Sequence, residues 1–347
     1  MGIDRLNNLD LVRLFASAQV LVWHVLVHLD LFNPDSFFLK FLYNIPGVPI
    51  FFAISGFLIT SSIDKTNFIV ANYVRSRFMR LFPALVICLL FTSFLVYWSG
   101  TSIDLSDWLI YFFTHLTIFQ SWISEGLRVW GVGHPNGSLW SISVEIQLYC
   151  LLPFLVISLK NKKIEKKNFI LFLLFISSIA YRFIIDEYIR SKSETIAQFG
   201  SMFLFHHFQF FALGIALYYN FNQILPFLES RVLKWLGIYA AYVLVCKYYF
   251  EAYETPYSYS FFGIVANILL IGMVFSFAFS NKEWSSMLLR QQDISYGLYI
   301  FHMPIVNFFV QKGLVGDIVY FFLVCLFSFI LAVLSWIFIE RKALQFK

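Results

Sequence analysis

Apolar runs of about twenty residues recur along this chain from one end to the other, and a run of that length is suited to crossing a bilayer as a helix. The hydrocarbon core holds no water, so each backbone N–H and C=O there must bond within its own segment, which an α-helix achieves. Composition agrees: 60% of the 347 residues are hydrophobic and 13% charged, with 44 Phe and 19 Tyr, whereas a soluble domain is about 25% charged. An all-α, polytopic integral membrane protein is predicted. Ten transmembrane helices are expected, at 11–29, 46–63, 79–98, 139–159, 169–186, 202–221, 232–249, 258–280, 294–311 and 314–339. The stretches between them leave no room for a separate soluble domain, so 1–347 reads as a single transmembrane domain.

The net charge of +5 comes from short basic clusters between apolar runs, a pattern that sets orientation and gives no reason to expect nucleic acid as a partner. With both termini in the cytoplasm, 18 of the 25 Lys and Arg fall on inside segments, Arg5, Lys65, Lys282 and Lys347 among them, and six fall outside. That bias follows the positive-inside rule and predicts a multi-pass protein of the cell's inner (cytoplasmic) membrane. Arg182, near the outer end of its span, can snorkel. Residues 105–122 are apolar enough to cross, yet one more crossing would put the lysines of 160–167 on the wrong side. They read as a re-entrant or interfacial helix on the outer face, where Trp and Tyr are common. The N-terminus lacks a cleavable-signal layout, and Leu6 stands where myristoylation needs Ser or Thr. Cys88, Cys150, Cys246 and Cys325 all sit in apolar runs without metal-ligand spacing. They read as packed thiols, and no metal is expected.

Ionisable groups inside spans are costly and mark functional sites by default. In the first span, Arg13 and His24 are eleven residues apart, which is ~20° past three turns and ~16.5 Å of rise. They share a face, with Arg13 at the cytoplasmic edge, Asp10 in reach as its partner, and His28 one turn beyond His24. In GSLWSISVEIQLYCLLP (137–153), Glu145 is the carboxylate placed deep in a span, and Ser141 and Tyr149 lie four residues to either side on its face. A buried carboxylate seeks a cationic partner. His24 is the candidate, and Glu145 would orient that imidazole and raise its basicity for general-base work. Either function or an ordinary interhelical hydrogen bond would account for each residue.

Arg75, Arg77 and Arg80 crowd the cytoplasmic side of the third span, where guanidinium pairs bind phosphates well and also set topology. Ser295, Tyr299 and His302 form a polar stripe in ISYGLYIFHMPI (294–305), facing a polar cavity or an internal hydrogen-bonded network, with Asp293 as a helix cap and Pro304 interrupting the helix beyond. Gly47, Ser55 and Gly56 suit close helix packing. His115, His134, His206 and His207 lack a phased partner and read as structural. His134 stands apart because its loop, HPNGS, leads into the Glu145 helix.

Together these segments resemble the acyltransferase-3 family of membrane-bound O-acyltransferases, typified by bacterial surface-polysaccharide O-acetyltransferases. NNLDLVRLFASAQVLVWH, GVPIFFAISGFLI, RFMRLFPAL, GSLWSISVEIQLY, ISYGLYIFHMPI and SWIFIERKA occur in order from residue 7 to 343. Each fragment alone is unspecific, and their order and spacing carry the match. The resemblance implies transfer of an acetyl or other short acyl group from acyl-CoA, with acetyl-CoA as co-substrate and no permanently bound cofactor. The implied acceptor is a hydroxyl of a lipid-linked or surface saccharide, such as lipopolysaccharide O-antigen, capsule or exopolysaccharide. It also implies that His24 and Glu145 are catalytic and that Arg13, Arg77 and Arg80 handle the donor, with Ser141, Tyr149, Ser295, Tyr299 and His302 supporting. Some relatives fuse a soluble esterase-like domain after the last span, and here such a partner would be separate. The rival reading is a transporter or flippase for a saccharide or small solute, since buried Arg, His and Glu also build proton-coupled pathways.

Overall fold

The computed structural model describes residues 7–33, 36–65, 69–250, 256–281, 283–290 and 292–346. Arg5, Leu6, Lys282 and Lys347 lie outside them, as does the side chain of Lys65. Among the described residues there is no strand. The chain runs through α1 (Leu9–His28), α2 (Phe37–Asn44), α3 (Gly47–Lys65), α4 (Val70–Trp98), α5 (Leu105–His115), α6 (Trp140–Leu159), α7 (Ile164–Phe183), α8 (Glu194–Ser201), α9 (Phe208–Tyr219), α10 (Phe221–Leu228), α11 (Val232–Tyr249), α12 (Phe261–Phe279), α13 (Trp284–Leu289), α14 (Ser295–Gln311) and α15 (Ile318–Ser335).

Seven helical stretches among the described residues are long and apolar enough to cross a membrane: Leu9–His28, Phe38–Asp64, Val70–Trp98, Gly137–Leu159, Ile164–Ile189, Phe261–Phe279 and Ile318–Phe346. The other three expected spans are helical but fall short. Within 202–221, α9 has 12 residues. α14 has 17, and α11, with 18, is diluted by Lys234, Lys247 and its tyrosines. Residues 105–122 supply only the 11-residue α5, followed by turns. Eleven residues rise ~16 Å, about half the hydrocarbon thickness, so α5 does not cross.

Two compact units divide the chain: residues 1–16, 41–67 and 147–291 make one, and 17–40, 68–146 and 292–347 the other. In the first, α3 and α9 meet backbone to backbone. A Cβ on Gly56 would stand 2.4 Å from the Phe211 carbonyl oxygen, and one on Gly214 would stand 1.9 Å from that of Ala53. The close approach expected at Gly56 is therefore present. Around it Phe57 packs on Phe221, Phe275 and Phe279, while the Asn8 amide donates to the Ser280 carbonyl at 2.8 Å. Arg182 has protein partners. It pairs with Asp186 at 3.4 Å and lies over the rings of Phe210, Tyr257 and Tyr259. Asp186 also takes Arg190 and His206, each at 3.1 Å, which gives His206 a partner the sequence did not suggest.

The second unit is built on α14. Nearly all of its residues are buried, the polar Ser295, His302 and Asn307 among them. Pro304 has no N–H to offer the carbonyl four residues back, that of Ile300. Asn136 Nδ2 takes up that carbonyl at 2.8 Å and Cys88 Sγ at 3.2 Å. Ile294, not Asp293, is the N-cap of this helix, and Asp293 accepts the N–H of its first residue, Ser295, at 3.3 Å. Gly297 admits the last span, with its Cβ position 3.0 Å from Ala332 Cα and 3.1 Å from Glu340 Oε1.

Candidate functional site

Within the second unit, α1 and α14 lie side by side in register. Ser17 Oγ donates to the Ser295 carbonyl at 2.7 Å, and His24 Nδ1 stands 2.8 Å from His302 Nε2. Each helix advances seven residues between the two contacts, two turns less ~20°, so both run in the same direction. The imidazoles of His24 and His302 are nearly coplanar, at 16° with centroids 5.2 Å apart, and the His28 ring follows at 5.7 Å.

The bond pattern orders the protons. His302 Nδ1 lies 3.2 Å from the Leu298 carbonyl. A carbonyl only accepts, so Nδ1 of neutral His302 carries the hydrogen and its Nε2 is an acceptor. His24 must then donate from Nδ1, which leaves the lone pair of a neutral imidazole on its Nε2. Among the described residues no other group hydrogen-bonds His24. A base held in one tautomer by a second group is the geometry acid–base catalysis needs.

That second group is not Glu145. The pairing expected between Glu145 and His24 is absent: His24 meets His302 and His28 instead. Spacing along α6 does put Ser141 and Glu145 on one face, but helical phase cannot say which neighbour that face meets. It meets Tyr299. Ser141 Oγ is 2.6 Å from the Tyr299 hydroxyl, which donates onward to the Ser138 carbonyl at 3.0 Å, and the half-buried Glu145 is close enough for its charge to act on that hydroxyl. The Tyr299 ring stands edge-on to His302, centroids 6.1 Å apart. Ser295, Tyr299 and His302 are all buried and bonded, so the stripe is an internal network against α1 and α6.

The basic residues separate. Arg80 is ion-paired with Asp293 and feels the charge of Glu340. Arg77 is half-buried and lies 5.4 Å from the Tyr73 ring centre, and Arg75 is exposed. Arg13 lies in the first unit, paired as expected with Asp10 at 3.3 Å. Tyr149, one turn beyond Glu145 on α6, also belongs to the first unit and is half-buried.

Several residues here were not singled out from sequence. Glu340 is more buried than Glu145 and bonds Ser335 at 2.8 Å. Asn136 holds the carbonyl that Pro304 frees. Asn307 and Gln311 of α14 hold the loop before α6: Asn307 Oδ1 accepts from Val132 and Gln311 Oε1 from Gly131, both at 2.8 Å. The only sequence signal for these was the HPNGS loop itself.

Comparison with known proteins gives consistent matches over the whole chain. Residues 6–337 match the acyltransferase domain family. Nodulation protein 10 of Rhizobium leguminosarum bv. viciae is 28% identical, with 98% of this chain and 94% of that protein covered. An O-acetyl transferase of Shigella phage Sf6 is 26% identical over 97% and 96% of the two chains. The O-acetyltransferase OatA of Staphylococcus aureus (strain NCTC 8325 / PS 47) is 26% identical, over 96% of this chain and 56% of its own. No solved structure matches.

Proposed function

The chain belongs to the acyltransferase domain family, and we propose on that footing that it is a membrane O-acyltransferase moving an acetyl group from cytoplasmic acetyl-CoA to a hydroxyl of a surface saccharide. Relatives named for O-acetyl transfer favour acetyl as the group moved. The acceptor class is O-antigen, capsule or exopolysaccharide, met while lipid-linked or at the cell surface. The enzyme sits in the inner membrane with cytoplasmic termini, in keeping with the distribution of its basic residues.

The observation that carries this reading is the proton order from the Leu298 carbonyl through His302 to His24, which leaves the lone pair of His24 on Nε2. His24 Nε2 takes the proton of the acceptor hydroxyl as its oxygen attacks the thioester carbonyl carbon. The C–O bond forms, the C–S bond breaks, and the imidazolium returns the proton to the departing thiolate. A variant of the same chemistry puts the acetyl group on Nε2 first and passes it to the hydroxyl afterwards. His302 is a positioning residue in either course. Glu145 and Ser141 act through Tyr299, whose ring abuts His302.

A donor bearing several phosphates does not cross a bilayer, so its charge must be met at the cytoplasmic edge. Arg13 stands ~16 Å before His24 on one helix, which matches a donor whose phosphates stay near the surface while its thioester reaches inward. Arg77 shares that role, and Arg80 does so with a guanidinium already shared with Asp293.

The test uses detergent-purified protein and radiolabelled acetyl-CoA. Transfer to saccharide is expected from the wild type and none from His24→Ala at equal expression and membrane insertion. Full activity of that variant sinks the assignment. Solute movement into vesicles without any donor would instead favour a transporter.

A further inference from the structure

Four side chains near the start and end of the segment between α5 and α6 each hold a buried polar atom with no hydrogen-bond partner: Tyr111 Oη, His115 Nε2, Gln120 Oε1 and His134 Nδ1. Such an atom costs about 1–3 kcal/mol, and folded proteins keep only a few per hundred residues. These four belong together. The Tyr111 and His115 rings are 4.3 Å apart and those of His115 and His134 6.4 Å, and Gln120 Nε2 donates to the His115 carbonyl at 2.9 Å.

Their remaining bonds fix the role of two of the open atoms. His115 Nδ1 lies 2.9 Å from the Tyr111 carbonyl, so it carries the ring hydrogen and Nε2 is an acceptor. Gln120 already donates through its nitrogen, and its open atom is the acceptor oxygen. Tyr111 offers a hydroxyl that can donate or accept. A ligand serving this set must donate at least twice, to His115 Nε2 and to Gln120 Oε1, which a carboxylate cannot do. Hydroxyl groups can. Burial, with the His134 ring nearby, pushes His115 down to about 3, and burial with Arg128 pushes His134 down to about 4, so both rings are neutral at neutral pH.

The set also lies in the right place along α14. Asn307 Nδ2 donates to the His134 and Pro135 carbonyls at 3.0 and 3.1 Å. Asn136 then reaches the Ile300 carbonyl and Ser138 that of Tyr299. The loop therefore follows α14 from Asn307 back to Tyr299, past His302.

We propose that Tyr111, His115, Gln120 and His134 form a hydroxyl-binding subsite that holds the saccharide acceptor beside the stretch of α14 carrying His302. This deepens the function proposed above and rests on it for the acceptor's role, though not for binding itself.

The experiment is saturation-transfer NMR on the detergent-purified full chain with glucose, galactose, rhamnose and N-acetylglucosamine. At least one sugar is expected to bind the wild type, and at least fivefold more weakly to Tyr111→Phe and His134→Gln, while Gly237→Ala, whose added methyl meets nothing within 4 Å, binds it as the wild type does. Tyr111→Phe keeps the ring and removes only the hydroxyl, so a merely structural role predicts unchanged sugar binding, whatever the change in melting. A wild type that binds none of the sugars, or variants that bind as it does, would overturn the subsite. Sugar binding lost in the variants, with acetyl transfer absent from the wild type, would sink the acyltransferase reading and leave the subsite standing.

Discussion

A neutral imidazole keeps its lone pair on one nitrogen only, and in this protein a main-chain carbonyl decides which nitrogen of His24 that is. The Leu298 carbonyl sets His302, and His302 sets His24. His302→Ala is therefore expected to lower kcat by about 10²–10⁴, the usual worth of positioned acid–base chemistry, with KM for acetyl-CoA almost unchanged. His302→Gln, whose amide oxygen accepts the same N–H, should recover part of the loss, and steady-state kinetics on both variants checks this. The Ile300 carbonyl gives a second test, because Pro304 takes away its ordinary partner and Asn136 replaces it. Asn136→Ala should cost about 0.5–1.5 kcal/mol, one net hydrogen bond, since the weak donor Cys88 Sγ stays on that carbonyl. Adding Pro304→Ala, which restores an N–H, should return part of it, as thermal unfolding of single and double variants will show. At this scale the sequence marked His24 and His302 as candidates. It could not pair them, because phase along one helix says nothing about which neighbour the face meets.

Between elements, glycine sets how near two helices come. At Gly56 and Gly214 the added methyl of alanine would lie within bonding distance of a carbonyl on the facing helix. Gly56→Ala and Gly214→Ala are each expected to destabilise by about 1–3 kcal/mol, as overpacking does. Gly237 on α11 has nothing within 4 Å of its Cβ position, so Gly237→Ala should be neutral or stabilising by up to about 1 kcal/mol through helix propensity. Melting curves of the three variants in one detergent compare them directly. The small-residue pattern at Gly56 was legible in the sequence, but its partner Gly214 was not, since nothing local ties residue 56 to residue 214. α5 was legible for a different reason: another crossing would put the lysines of 160–167 on the wrong side, and its 11 residues leave it too short for one.

Across the whole molecule the expected pH response follows from two rings outside the spans. His115 and His134 are held neutral in the folded chain, at about 3 and about 4 against an ordinary 6.5. The unfolded chain therefore takes up protons first as pH falls. Their contribution to stability is complete above about 6.5 and is lost as pH drops through 4. Melting temperature should fall across that window, and by less in His134→Gln. Orientation gives a further check: a reporter fused after Lys347 should be active only if it works in the cytoplasm. By itself the sequence determined that this chain is helical and built for a membrane, because apolar runs and the placing of basic residues are local properties that water and lipid read directly. Its motif order also pointed to the family the chain proved to belong to. Only the tertiary structure decided that His302 stands against His24, that Ser141 meets Tyr299, and that Asp293 already holds Arg80. Those are contacts between residues far apart in the chain, and they are set by how whole helix faces pack.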